Sequence, residues 1–385
     1  MQISDLTVEV RNSDLVRVGQ LTATDLVDFK AVLRNKKVGS WSVTLPVGHK
    51  LADVLRLPGS GLIVSTDEGT LLSGPTMAVV TSQSIDDQQG TYTITGVDDS
   101  VVLKERLAYP TPATADVTAQ TSPYDVRTGL AEDVMKAYVN ANLVAGPVER
   151  QVAGLTVEAS AGLGPSVRAS ARFEALLDLL NSLADVSGLS FTIEQVGGEL
   201  QFRVWQPVDR SSYIRLDLDN GQLSKSEYSY SQPTATRAIV AGQGEAELRT
   251  FVERTSTDSL AAESAWGRRI EVFKDQRNTD DVTELEQAGD EVLANDGKTK
   301  VAVDIQPTDD TTMRFGIDWN LGDKVAVVVG TTELSAVVSE VALLVKADGV
   351  RLAATVGEPI AMDFETQLVA RTTDQALRLS KLERT

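Results

Sequence analysis

Residues able to do chemistry are scarce in this sequence. There is one histidine, His49, in the loop Pro46-Val47-Gly48-His49-Lys50, and there is no cysteine. That removes thiol catalysis, disulfide frameworks, cysteine-based zinc sites and any HExxH pair. A histidine-dependent triad would have to use His49, and a lone loop histidine is usually a solvated turn residue. The adjacent pairs Asp86-Asp87, Asp98-Asp99, Asp280-Asp281 and Asp309-Asp310 could in principle supply the two carboxyl groups of a glycosidase. Neighbours in a strand point to opposite faces, however, and each pair falls at an expected turn or helix start, where Asp is favoured anyway. Gly162-Leu163-Gly164 and Gly242-Gln243-Gly244 lack the Gly-Lys-Ser/Thr continuation of a phosphate loop. They also lack the third glycine and helix start of a dinucleotide site, so both read as turns. Asp217-Leu218-Asp219-Asn220-Gly221 hints at a calcium loop. Gly221 stands where a ligand is needed, and Tyr228 stands where the closing Glu belongs, so this too reads as a turn. No serine sits in a Gly-x-Ser-x-Gly elbow. The expectation is a protein with no catalytic residue, no cofactor and no metal.

The elements that would hold a site are mostly strands. Of 385 residues, 42% are hydrophobic and only 5% aromatic, which suits short strands and modest helices in two to four domains. No apolar run approaches the roughly 18 residues of a membrane span. The N-terminal MQISDLTVEV has neither a basic nor an apolar leader region, so it does not read as a signal peptide. The net charge of −19 argues against direct nucleic-acid binding, which needs basic patches. It suits a pore that a polyanion slides through, as well as ordinary solubility.

The stretch Pro58–Pro110 reads as a tightly spaced β unit. Leu62-Ile63-Val64, Met77–Val80 and Tyr92-Thr93-Ile94 are apolar runs punctuated by Asp67-Glu68-Gly69 and by an acidic Asp86–Gly90 loop, with Leu103 and Leu107 closing the unit. Residues Val325–Val329, Leu334–Val345 and Val350–Val356 repeat the pattern of strand, tight turn, long strand, polar turn and strand. We read an internal duplication of a small β-barrel.

The remaining chain falls into order around these units. Residues 2–18 form a hairpin, and Trp41, Val43 and Leu45 share one face of a strand. Ser122, as a cap before Pro123, starts a helix whose stripe runs Val126, Leu130, Val134, Ala137, Tyr138 and Ala141. A second helix spans Ala171–Ser187, with Gly188 in the left-handed position that ends it. A hairpin then turns at Gly197-Gly198. Two strands meet at Gly242–Gly244, another covers Arg268–Phe273, and a helix spans Asp281–Ala294. Asp363–Arg384 reads as a final helix in which Leu368, Thr372, Gln375, Leu379 and Leu382 form a short, half-polar seam for self-association. The fold class expected is α+β, β-rich and multidomain. Its parts are a first β-barrel (1–107), an α+β domain (108–225), linking strands and helix (226–298), a second β-barrel (299–358) and a C-terminal helix (359–385).

Several blocks carry a family resemblance. PGSGLIV, LLSGP and GTYTITGVDDSVVLKERLAYPTP resemble the N-terminal part of tail-hub, or minor tail, proteins of siphophages that infect actinobacteria. RFEALLDLLNSLADVSGLSFTIEQVGGELQFRVWQPVDRS is similar to that family's helix–hairpin block, SAWGRRIEVFKDQRN to its Trp-Gly-x-Arg strand, and FGIDWNLGDKVAVVV to its Gly-Asp-x-Val strand. The blocks cover most of residues 30–357; the last helix and Asp116–Gln120 carry no family pattern. The resemblance implies a structural hub at the tip of a non-contractile tail, carried in the virion. It would be a homotrimer whose two barrels per copy mimic six-fold symmetry, so that a three-fold tip joins a hexameric tube. Implied partners are the distal tail protein ring, the C-terminal end of the tape-measure protein, and receptor-binding or other minor tail proteins. DNA would pass through without specific binding, and three copies would carry 3 × −19 = −57 formal charges. The alternatives are a tail-associated cell-wall hydrolase, which a zymogram would reveal, and a receptor-binding tip protein.

Overall fold

Alternating apolar residues and short polar connections build the first β unit of this computed structural model. It describes residues 5–26, 28–83, 90–244, 248–277, 279–308, 313–346 and 349–357. The expected final helix with its seam Leu368, Thr372, Gln375, Leu379 and Leu382 lies outside the described residues, as do Asp86-Asp87 and Asp309-Asp310. Strands β1 (Thr7–Arg11) and β2 (Arg17–Leu21) form the expected N-terminal hairpin. Then come β3 (Phe29–Arg34), β4 (Ser40–Pro46), α1 (Lys50–Leu55), β5 (Gly61–Thr66), β6 (Gly69–Ser82), β7 (Thr91–Val97) and α2 (Val101–Glu105). In β4 the expected alternation holds: Trp41, Val43 and Leu45 are all buried on one face.

The middle of the chain departs from expectation at two places. The helix expected from Ser122 is a strand first, β8 (Asp125–Leu130), and only then α3 (Ala131–Val139). Val126 and Leu130 are exposed, and β8 satisfies its backbone by antiparallel pairing with β10 (Ser166–Ala171), which lies beyond the short β9 (Leu155–Val157). Only Val134 and Tyr138 of the expected stripe are buried helical residues. The second helix, α4, begins at Leu176 and ends at Ser187. Phe173 takes a left-handed backbone (φ 58°), which α-helix cannot continue through. Gly188 ends α4 with φ 69°, as expected. The hairpin β11 (Ser190–Val196) and β12 (Glu199–Trp205) follows.

The rest of the chain returns to the first sheet. Its elements are β13 (Arg215–Asp217), β14 (Leu223–Ser231), β15 (Arg237–Ala241), β16 (Phe251–Arg254), α5 (Thr257–Trp266), β17 (Glu271–Asp275), α6 (Val282–Asp296), β18 (Lys300–Pro307), β19 (Lys324–Val329), β20 (Thr332–Lys346) and β21 (Gly349–Gly357). Asp281 caps α6 by accepting from the Thr283 N–H. Helix α5 went unread because its apolar residues share no face, although a Ser256–Ser259 capping box marks its start.

One 13-stranded sheet carries both β units, in the order β14-β18-β21-β20-β3-β4-β7-β6-β5-β1-β2, with β13 and β19 branching from β20. The units follow the same path: β3-β4-β7-β6-β5 in the first, β14-β18-β21-β20-β19 in the second. In each, a long strand changes partners halfway, at a bulge. Strand β6 pairs with β5 up to Pro75 and with β7 from Thr76, and the bulge follows at Thr76/Ala78. Strand β20 pairs with β19 up to Val337 and with β21 from Val338, with its bulge at Val338/Glu340.

A single apolar core serves both units, with Phe29, Trp41, Val43 and Ile94 of the first packed with Ile305, Trp319, Val341 and Leu343 of the second. A separate core joins α3 and α4 to β11 and β12 through Tyr138, Leu180, Phe191 and Phe202. Leu103, expected to close the first β unit, is buried in this second core, and Leu107 is exposed. A small third core, Val240, Leu285 and Ala288, holds α6 on its strands.

Candidate assembly surface

The groups that could have been chemical are used structurally. His49 Nε2 lies 3.4 Å from Asp25 Oδ1 in the turn before α1. Burial would raise the Asp25 carboxyl, but hydrogen bonds from Thr22 and the His49 charge outweigh it and hold the carboxyl below its usual range. Asp217 Oδ1 accepts from the Asp219 N–H (2.9 Å) and Oδ2 from Arg215 (3.0 Å), so the calcium-like loop is a turn closed by its own first carboxylate. The Gly162–Gly164 loop cradles an anion, but an internal one: the N–H groups of Ala161 and Leu163 donate to Glu132, which also accepts from Lys136 Nζ at 2.6 Å. Gly242 donates to the Thr250 carbonyl across the β15–β16 turn. Asp281 is a helix cap. Among the described residues no cluster of acidic and histidine side chains could hold a metal, and no helix is long and apolar enough to cross a membrane.

Asp98 and Asp99 are the exception to the bland reading of the aspartate pairs, because both are buried. Asp99 takes a two-pronged bond from Arg11, at 2.9 and 2.5 Å, and a third from Ser73 Oγ at 2.6 Å. Arg11 also donates to Gln195 Oε1 (3.0 Å), and the Gln195 N–H donates to Ser73 (2.7 Å). This node pins β11, from the second core, to β1 and β6 of the first. Asp98 accepts from the N–H groups of Gly39 (2.6 Å) and Ser100 (3.0 Å). Burial, reinforced by the neighbouring Asp99 charge, pushes its carboxyl up to about 7 despite those bonds. Sequence spacing could not reveal this, because the partners other than Ser100 lie 26 to 184 positions from one another along the chain.

A cleft of about 390 Å³ opens between the two main cores, lined by Arg34, Asp98, Phe191, Arg203, Arg210 and Asp323. Its three arginines are already engaged: Arg34 with Glu340 at 2.6 Å, Arg210 with Asp323 at 2.6 Å, and Arg203 with Glu194 and Glu158. No arginine of this cleft is left over for a phosphate or a substrate carboxylate.

What remains is surface. On the side of the sheet away from the core, β4 presents Ser40, Ser42 and Thr44, and β7 presents Thr91, Thr93 and Thr95, all half-buried. Thr44 and Thr93 hydroxyls lie 3.4 Å apart across the two strands. This face is neutral and hydroxylated where it crosses β4 and β7. At its rim the second half of β6, Thr76–Ser82, has Met77 and Val80 more than half exposed. At the far end of the sheet β14 exposes Tyr228 and Tyr230, and the Tyr230 ring in turn meets Trp266 at 5.9 Å.

The fold built from these parts is found in phage tail proteins. A 43 kDa tail protein of prophage MuSo2 from Shewanella oneidensis is similar, with a TM-score of 0.58 at 15% identity over 93% of this chain and 99% of that one. Prophage tail protein gp18 from Listeria monocytogenes EGD-e gives 0.56 at 9% identity, over 97% and 99% of the two chains. A tail protein from Neisseria meningitidis MC58 gives 0.54 at 12%, over 92% and 96%. At such identities the likeness is one of fold. No curated protein matches the sequence. The family is fixed by a sequence-family match over residues 7–358, nearly the whole chain: the protein belongs to the Siphovirus ReqiPepy6 Gp37-like proteins, a phage tail family.

Proposed function

We propose that the chain is the structural hub at the tip of a non-contractile phage tail. Three copies close into a ring, so that six β units surround a channel and adapt a hexameric tube to a three-fold tip. The observation that carries this reading is the repeated strand path: two units with one topology in a single copy give a trimer six similar walls. The hydroxyl face of β4 and β7 then lines the channel, where the nearest cation is Lys30 of β3 beside Ser42, and the net charge of −19 per copy acts against retention of DNA. The ring sits below the distal tail protein ring, receives the C-terminal end of the tape-measure protein, and carries receptor-binding or other minor tail proteins on its outer and lower surfaces. The seam Leu368–Leu382 is a second, weaker contact between copies. No residue is assigned a catalytic role.

Single-particle imaging with solution mass tests the proposal. A three-fold annulus with six β lobes around a hole is expected. A closed two-fold particle without a hole, or a chain found only in non-virion fractions of infected cells, would overturn it.

A further inference from the structure

Because the two units share a path, each pairing in one has a counterpart in the other. The bulges put Thr76 opposite Gly96 and Val338 opposite Val356. Working outward along the ladders, Trp41 corresponds to Val303, and Ala31 to Tyr228. Strand β6 is thus the counterpart of β20, and β3 of β14. Among the described residues, the joint between the two units is a pairing without a counterpart. The second half of β20 has β21 on one side and β3 on the other, in a register running from Glu340↔Arg34 to Val345↔Phe29. The second half of β6 has β7 on one side, and among the described residues no strand pairs on the other. Strand β14 likewise pairs with β18 and, among the described residues, with nothing beyond it.

We propose that β6 of one copy pairs antiparallel with β14 of a second copy, repeating between chains the β20–β3 joint that unites the two units within one chain. Carrying the intrachain register over places Ala78 opposite Ser231, Val79 opposite Tyr230, Val80 opposite Ser229 and Thr81 opposite Tyr228 of the second copy. The side chains suit it. An edge strand in a soluble protein is normally blunted by lysine or proline, or else covered. Thr76–Ser82 contains no charge and no proline, and its Met77 and Val80 are 57% and 61% exposed. On the core side the intrachain joint sets Leu33 beside Val341; the new joint sets Tyr230 beside Val79, an aromatic with a β-branched residue, which is a favourable cross-strand pair. On the other face Val32, Ala342 and Ala353 make a small apolar cluster at the intrachain joint. Ser229, Val80 and Thr93 hold the corresponding places at the new one. Each copy offers one edge of each kind, so the contact is heterologous and propagates around a ring. Closure at three copies rests on the hub reading above; the joint itself rests on the repeat.

The absence of cysteine makes the test clean. In the full chain, Val80→Cys with Ser229→Cys under mild oxidation is expected to give linked dimers and trimers. Either single variant, and the off-face pair Thr81→Cys with Ser229→Cys, is expected to give at most a tenth as much. All these positions lie at least partly open on sheet edges, so folding is undisturbed. Oxidation traps even brief encounters, so a pair that does not link overturns the joint, as does a Val80→Cys single variant that links as well. Solution mass separates this from the ring: trimers that do not link leave the ring standing and remove this joint, whereas linked ladders running past three keep the joint and remove the three-fold ring.

Discussion

At the residue scale, the most informative group is Asp98. Its carboxyl, ordinarily near 3.8, is raised to about 7 because it is buried beside Asp99. Between those values the folded chain holds a proton that the unfolded chain has released. The group's contribution to stability is therefore complete below about pH 4 and is lost as pH rises through about 7, at up to ~1.4 kcal/mol per pH unit. Asp98→Asn removes the titrating proton while keeping a neutral oxygen to accept from Gly39. The expected outcome in denaturant melts at pH 5, 6, 7 and 8 is a flatter dependence of stability on pH for the variant than for the parent. Equal slopes would assign the proton to another group, such as Glu174. That carboxyl is also pushed up to about 7, by burial and then by the Glu291 charge, although the residue as a whole is exposed. Reading the sequence alone, Asp98-Asp99 looked like an ordinary turn pair. The position at a helix start is right, but burial depends on Arg11, Gly39 and Gln195, which only the fold brings there.

At the element scale, the two β units solve one crossing in two ways. Trp41 faces Gly96 in the first unit, and Val303 faces Val356 at the corresponding place in the second. A large residue against none thus replaces two of medium size. A Cβ on Gly96 would sit 2.2 Å from the Trp41 ring and 2.3 Å from the Pro75 carbonyl oxygen. Neither can retreat, since the indole is buried in the shared core and the carbonyl is backbone. Gly96→Ala is therefore expected to cost about 3 kcal/mol, the upper part of the range for overpacking, read as a lowered midpoint in a urea melt. An unchanged midpoint would mean that the β4–β7–β6 crossing is looser than described. Elements of this kind were legible where one face is buried and the period is regular, as in β4, the β11–β12 hairpin and α4 with Gly188. They were illegible where a strand and a helix adjoin without a break. Val126 and Leu130 sit at helical spacing with Val134 and Tyr138, yet the chain changes from β8 to α3 at Ala131. The partner that decides it, β10, lies some forty residues on, out of reach of any local spacing rule.

At the scale of the whole molecule, the question is which contact would hold copies together in the proposed ring. The sequence offered a seam, Leu368, Thr372, Gln375, Leu379 and Leu382; the structure offers two strand edges. The seam was visible because a heptad pattern is local. The edges were invisible because a strand's free side is known only after every other pairing is assigned. A half-polar seam of about two heptads is a weak association device, since Thr372 and Gln375 hold two of its five positions and bury little apolar surface. A strand joint satisfies a row of backbone donors and acceptors and covers Met77 and Val80 at once. The two contacts therefore respond differently to charge. Val80→Lys places on the edge the residue that natural edge strands use against pairing, at an exposed position where the single copy loses nothing. It is expected to weaken association at least tenfold, which is about 1.4 kcal/mol, in sedimentation equilibrium. Leu368→Asp with Leu379→Asp is expected to shift association less than threefold. The reverse ranking would assign the ring to the seam and leave the β edges to another partner of the tail.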